Sequence, residues 1–264
     1  MTSIQVWAGV DSHGVASLYI ASDSRITWGP GHHWDQGRKV FAADRQPHIF
    51  GYWGDVLFPA LALPQISDQI DYGLIQGRHQ EEWRRVLMGC TRALCSDYPV
   101  EERRDFGIAH GYRLGVGTAS QFGLTILTYR ARDDTWDARS IEMPKSSAVL
   151  HIAGSGIPSV REAQSLWAAS TSGGTSRAVY SAFVESVLSG HDDKSGGAPQ
   201  LCGLYRIEGG RVMGTVLGKR RYFAGAGVES PENTEFVQWH NELFEVTDGR
   251  TKLRRAGAQP HTPR

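Results

Sequence analysis

Met1-Thr2-Ser3-Ile4-Gln5-Val6-Trp7-Ala8-Gly9 opens the chain, an apolar-rich segment of strand character led by a threonine. A second residue this small suits removal of Met1 by an aminopeptidase, which would leave a hydroxyl and a free α-amine on one residue. A threonine hydroxyl is a poor nucleophile until a base takes its proton, and an N-terminal amine is one such base. An ordinary α-amine has a pKa of about 7.7–8.0, so a useful neutral fraction exists near neutrality. Thr2 is therefore the candidate nucleophile and its amine the candidate base. No separate histidine is required.

Working outward from Thr2, the segment Ala21-Ser22-Asp23-Ser24-Arg25 supplies a carboxylate, and Lys39 follows Asp23 by sixteen residues. A lysine ammonium beside the amine lowers the amine's pKa and steadies a developing alkoxide. Such a lysine needs a carboxylate to hold it and to offset the burial of its charge, the role assigned to Asp23 with support from Arg25. Read singly, these residues are an ordinary strand-end cation and an ordinary turn with a local ion pair. Their joint spacing is what carries the assignment.

Residues 3–9 and 17–22 read as two strands joined through Asp11-Ser12-His13-Gly14, and strand character returns at Lys39-Val40-Phe41-Ala42 and at His48-Ile49-Phe50-Gly51-Tyr52-Trp53. Leu57, Leu61, Ile66 and Ile70 recur at helical spacing from Val56 to about Gly73. Trp83, Val86, Leu87 and Leu94 do the same from Glu81 to Cys95. Strands are expected again at 122–129 and 148–153, then helices from Pro158 to Ala169 and from Ser176 to Leu188. Pro158 suits a first helical turn. A last group of strands runs from about Leu201 to Phe223 around a hairpin turn at Glu208-Gly209-Gly210. Two stacked sheets between two helical layers fit this order, because each sheet must bury its outer face as well as its inner one.

With these residues in place, the chain resembles the proteasome β-subunit family over about residues 2–223. Its Met-Thr opening is most similar to the bacterial proteasome-like peptidase that works with an ATP-driven unfoldase. Gly9 matches the glycine reached by the family's first strand, Asp23-Ser24-Arg25 its Asp-x-Arg segment, and Lys39 its essential lysine. Gly54, in Gly51-Tyr52-Trp53-Gly54-Asp55, corresponds to the glycine whose N–H forms the oxyanion hole. Gly154-Ser155-Gly156 and Asp192-Asp193-Lys194-Ser195-Gly196 match two further family motifs. The resemblance implies an α+β fold, a four-layer αββα sandwich of N-terminal nucleophile hydrolase type. It implies supporting roles around the nucleophile for Ser155, Asp192 and Ser195, and a substrate pocket near Gly37, Tyr52 and Val56. It also implies a peptide or unfolded-protein substrate, a homo-oligomeric ring, an ATP-dependent unfoldase as partner, and no cofactor or metal. The first hairpin departs from the family in a longer loop around Asp11–Gly14.

Equal numbers of cationic and anionic side chains, 28 each, leave no electrostatic footprint for nucleic acid or an acidic membrane. Cys90, Cys95 and Cys202 lack zinc-site spacing, and their odd number fits a reduced cytoplasm. Neither a signal segment nor an apolar run of about 20 residues is present, so a soluble, cytoplasmic protein is expected. His32, His33 and His110 lack metal-ligand partners at suitable spacing and are expected in loops or at the surface. Residues 1–227 are expected to form the hydrolase domain and 228–264 a C-terminal extension, partly helical over Glu235–Phe244, with a loose basic end at Arg250–Arg255. Trp167 and Trp239 are candidates for ring contacts or core positions. A small-molecule amidase on the same fold and a catalytically silent ring or scaffold subunit remain open alternatives to a threonine peptidase.

Overall fold

The computed structural model describes residues 2–29, 31–230 and 232–262. Strands β1 (Ser3–Asp11) and β2 (Gly14–Ser22) form the first hairpin, and the two-residue strands β3 (Ile26–Thr27) and β4 (His33–Trp34) form a small ribbon after it. Strands β5 (Val40–Ala43) and β6 (His48–Gly54) lead into helices α1 (Leu57–Asp71) and α2 (Gln80–Ser96). Strands β7 (Phe106–Leu114), β8 (Gln121–Arg130), β9 (Thr135–Ile141) and β10 (Ala148–Gly154) follow, then helices α3 (Ile157–Ala168) and α4 (Ser176–Leu188). The chain closes with β11 (Gln200–Tyr205), β12 (Arg211–Leu217), β13 (Arg220–Phe223), β14 (Ala226–Val228), β15 (Trp239–Asn241) and β16 (Val246–Thr247).

Among the described residues two large sheets account for most of these strands. One runs β10-β1-β2-β11-β12-β13-β14, with β15 and β16 joined to it through β12; the other runs β5-β6-β7-β8-β9. Side-chain alternation along each strand distributes three cores. Ile4, Val6 and Ala8 of β1 and Leu18 and Ile20 of β2 pack with Val40, Ile49, Ala109 and Leu124 between the sheets. Trp7, Tyr19 and Ala21, one step out of phase, pack beneath Val160 of α3 and Tyr180, Phe183 and Val184 of α4. On the other sheet Phe41, Phe50 and Tyr52 pack against Phe58, Leu63 and Ile66 of α1 and Trp83 and Leu87 of α2. No helix among the described residues is long and apolar enough to cross a membrane.

In the five-stranded sheet two strands escaped the sequence reading. β7 carries His110 and Arg113 yet is buried along its length, and β9 is an edge strand with exposed charged residues. Neither shows the apolar run or clean alternation that reveals a strand.

His110 is also not a surface residue. It is buried on the outer face of β7, where its Nε2 lies 2.9 Å from Nδ1 of His48 and its ring stacks on Phe50. Burial drives the His48 pKa down to about 3 and that of His110 well below its ordinary value. His48 is neutral in the folded chain at pH 5, whereas the unfolded chain protonates it near pH 6.5, so stability falls as pH drops below that point, and the lowered pKa of His110 acts in the same direction. Between pH 6.5 and 5 His48 alone is expected to remove about 1.5–2 kcal/mol. Urea unfolding of the wild type across that range checks this, and a His48→Phe, His110→Phe double variant should flatten the dependence. An unchanged slope in the double variant would assign the acid sensitivity elsewhere.

The C-terminal extension differs from expectation. Residues 235–244 are not an α-helix: a single 3-10 turn over Thr234–Phe236 precedes β15, which pairs in parallel with Gly214–Val216 of β12. The ladder supplies the hydrogen bonds that a helix would have made internally. Trp239 and Trp167 are both core residues, Trp239 lying flat against Gly214 with its Nε1 donating to Thr234 O. They are not available for contacts between subunits. Leu243 packs on Trp167 and Ala178, and Phe244 completes an aromatic cluster with Trp7, Tyr19, Tyr180 and His240. Arg221 fixes the same segment by donating to the carbonyls of Glu229 and Gly249.

Phe244 holds a left-handed backbone conformation, φ 60°, which an L-residue adopts at a cost of about 1–2 kcal/mol. Its ring contacts offset that strain. Phe244→Ala is expected to destabilise the fold by about 3 kcal/mol. Phe244→Gly loses the same ring but relieves the backbone, so its urea midpoint should lie above that of the alanine variant. The reverse order would show that the left-handed geometry is not a source of strain.

Candidate active site

Thr2 leads directly into β1, and its side chain is completely buried. Among the described residues nothing hydrogen-bonds its Oγ1. A buried hydroxyl without a partner calls for an explanation, and a catalytic role is one of those open to it. Its carbonyl accepts from Ser155 N at 2.9 Å, where β10 ends beside the start of β1. The approach is so close that a Cβ on Gly154 (φ 97°) would stand 1.6 Å from Thr2 O, and one on Gly156 would stand 1.8 Å from Ser3 Oγ. The Gly-Ser-Gly motif is thus required by the strand it touches.

Asp23 sits immediately after β2 and is fully buried, as is Lys39, which precedes β5. Lys39 Nζ donates to Asp23 Oδ1 at 2.8 Å and to Arg25 O at 2.5 Å. Ser3 N donates to the same Oδ1 at 2.9 Å, so one carboxylate oxygen links Lys39 to the residue following Thr2. The other oxygen accepts from Gly196 N and Arg25 N. Burial draws the Lys39 pKa below its ordinary value, against the pull of Asp23 in the opposite direction.

A second chain of contacts reaches the same strand from Asp192. Ser155 Oγ and Ser195 Oγ both donate to Asp192 Oδ2, at 2.8 and 2.7 Å, and Ser195 Oγ lies 2.7 Å from Ser3 Oγ. Burial works against the charge of Asp192, but the hydroxyls of Ser195 and Ser155 and the N–H of Lys194 hold its pKa below the ordinary value. Thr2, Asp23, Lys39, Ser155, Asp192 and Ser195 are therefore joined through Ser3 into one hydrogen-bonded network.

Arg25 belongs to it through its backbone. Its guanidinium turns away to pair with both oxygens of Asp35, at 2.8 and 2.9 Å, so the side chain braces the turn rather than Lys39. Gly54 stands at the exit of β6 with φ 87°, opposite Phe106 of β7, and Val56 begins the approach to α1. Neither shares a hydrogen bond with the network among the described residues. Tyr52 touches it through the backbone, its N–H donating to Lys39 O at 3.3 Å. Its ring is wholly buried against Phe41, and its hydroxyl donates to Arg38 O. Gly37 donates to Ser24 O and is covered by the Ile26 side chain.

Sequence reasoning missed Ser3, Asp35 and Gln200. The Gln200 side chain accepts from Lys39 N at 3.0 Å and donates to Asp23 O and Gly37 O at 3.0 and 2.7 Å. It staples together the two segments that carry the ion pair, from a position that is 1% exposed. The available signal was a lone amide in the otherwise apolar run Pro199-Gln200-Leu201-Cys202, since a buried polar group must find partners.

No protein-family model and no curated protein matches the sequence. Solved structures do. The chain is similar to Anbu (ancestral beta-subunit) from Yersinia bercovieri at 12% identity and TM-score 0.53, over 79% of this chain and 86% of that one. It is similar to an Anbu (Gly-1) mutant from Hyphomicrobium sp. strain MC1 at 14% identity and TM-score 0.51, over 86% and 88%. Thiobacillus denitrificans BPH in complex with epoxomicin aligns at 15% identity and TM-score 0.48, over 78% and 99%. What is shared with the two Anbu structures is the fold.

Proposed function

We propose that this chain is a threonine-type peptidase or amide hydrolase whose nucleophile is Thr2, exposed by removal of Met1. In this reading the fold is a four-layer αββα sandwich of N-terminal nucleophile hydrolase type, with residues 1–227 as the catalytic unit and 228–264 as an extension packed onto it. The observation that carries the proposal is the shared Asp23 Oδ1, which holds both Lys39 Nζ and the N–H next to Thr2. A completely buried lysine costs several kcal/mol unless paired, and the carboxylate that pairs it here also holds the residue next to Thr2, which supports a role for Lys39 in tuning the amine.

The chemistry follows from these positions. Thr2 Oγ attacks the substrate carbonyl while the Thr2 amine takes the hydroxyl proton, and the ammonium of Lys39 favours the neutral amine and the developing alkoxide. The N–H of Gly54 is assigned to the oxyanion, a role typically worth about 3–4 kcal/mol. The amine returns its proton to the leaving amine, then activates a water that resolves the ester. Asp192, with Ser155 and Ser195, orients the amine. The reading extends to a peptide or unfolded-protein substrate, to a homo-oligomeric ring and to an ATP-dependent unfoldase as partner.

Intact-mass measurement with a threonine-directed electrophile tests it. The expected result is loss of the Met1 mass and a single adduct that maps to Thr2 and is absent in Thr2→Ala. A protein that retains Met1 and takes no adduct would sink the reading in favour of a silent scaffold subunit.

A further inference from the structure

A cleft of about 960 Å³ lies behind the Asp23 network, and no step of the proposed chemistry uses it. One wall is the network's own support, Arg25 with Ser195, Gly196 and Gly197. Facing it is the C-terminal part of the large sheet, from Leu217 through Lys219, Arg220 and Arg221 to Val228, with Lys252 beside them. The charge is one-sided. Among the described residues, of the five cations lining the cleft only Arg25 is neutralised by a carboxylate, that of Asp35; Glu229 is the other acid.

Arg221 makes the imbalance specific. It is 7% exposed, its terminal nitrogens donate only to backbone carbonyls, and among the described residues its Nε has no hydrogen-bond partner. A guanidinium buried without a carboxylate leaves a positive potential in the wall that water does not screen. Val187, Leu188, Leu217 and Val228 place apolar surface between the charges. The cleft is also bordered by a strand edge: β14 ends the sheet, Gly227 and Val228 line the cavity, and nothing lies within 4 Å of where a Gly227 side chain would project. An unpaired edge offers backbone donors and acceptors to an added strand.

We propose that this cleft binds an extended acidic peptide segment, added as a strand beside β14, with its carboxylates toward Lys219, Arg220 and Lys252 and its apolar residues on Val187 and Leu217. The alternation of a strand suits this occupant, since it presents acidic and apolar faces on opposite sides. The site is distinct from the nucleophile and does not depend on Thr2 being active.

A fluorescein-labelled decapeptide of alternating Glu and Val, titrated by anisotropy against the full chain at low salt, tests the proposal. Saturable binding is expected, weakened at least about tenfold by Lys219→Glu with Arg220→Glu and by about 0.5 M salt. Lys219 and Arg220 are exposed, so these variants leave the core intact. The same peptide N-methylated at alternate residues, which keeps every charge and removes strand donors, is expected to lose binding. Unsaturable binding, equal binding to the double variant, equal binding of the N-methylated peptide, or equally tight binding of a single-stranded oligonucleotide of the same charge would each overturn the proposal.

Discussion

A chain that keeps any residue in front of Thr2 is expected to fold normally and to hydrolyse nothing. The residue following Thr2 is already held by Asp23, and the Thr2 carbonyl by Ser155, so neither contact depends on what precedes Thr2. The base does depend on it. An amide nitrogen cannot accept a proton at neutral pH, and loss of a nucleophile's activating base typically costs about 10⁴–10⁶-fold in turnover. An uncleavable N-terminal extension should therefore give the wild-type urea midpoint and no detectable amide hydrolysis, while Thr2→Ser should retain activity. Full turnover by the extended chain would remove the amine from the mechanism.

Lys39→Ala is expected to combine the largest loss of stability with loss of turnover. It leaves the Asp23 carboxylate fully buried without its ammonium, a change worth about 3–5 kcal/mol. Asp23→Ala does the converse. Because each residue serves the other, the two losses of activity are not additive, and the double variant should be no worse than either single one. Replacing the pair together, Asp23→Asn with Lys39→Met, removes both buried charges and should recover much of the stability with none of the activity. Urea unfolding and amide hydrolysis on the same four proteins separate the roles. Recovery of turnover with recovery of stability would make the pair purely structural.

The substrate pocket is where the local pattern said least. The resemblance points to Tyr52 as a pocket residue, but its ring turns to the helical side of the sheet and stacks on Phe41. The alternation in β6 fixes that direction: Ile49 and Trp53 face the other sheet, so Phe50 and Tyr52 cannot. Arg25 shows the same limit at the level of one residue. Its position in the motif was legible, yet its carbonyl rather than its guanidinium meets Lys39, because Asp35 claims the side chain.

Much was determined by the sequence alone wherever the information is local. Helices α1 to α4 and strands β1, β2, β6, β8 and β11 follow from side-chain period, which records which face of an element is buried. The order of elements then implied two sheets with helices outside them. Thr2, Asp23 and Lys39 are legible from their joint spacing, Ser155, Asp192 and Ser195 only through the family resemblance, and folding brings all six into one network. Tertiary structure decided what depends on partners distant in the chain. β15 is a strand because β12 offers a free edge at Gly214–Val216, and Trp239 is core because Gly214 leaves room for its ring. His110 is buried because His48 and Phe50 stack on it, and Gln200 matters because Asp23 and Lys39 converge on its amide. Each of these residues is polar, or lies in a segment of mixed period. For such residues burial is stabilising only once a specific partner is present, and the partner's position is set by the fold rather than by neighbours in the chain.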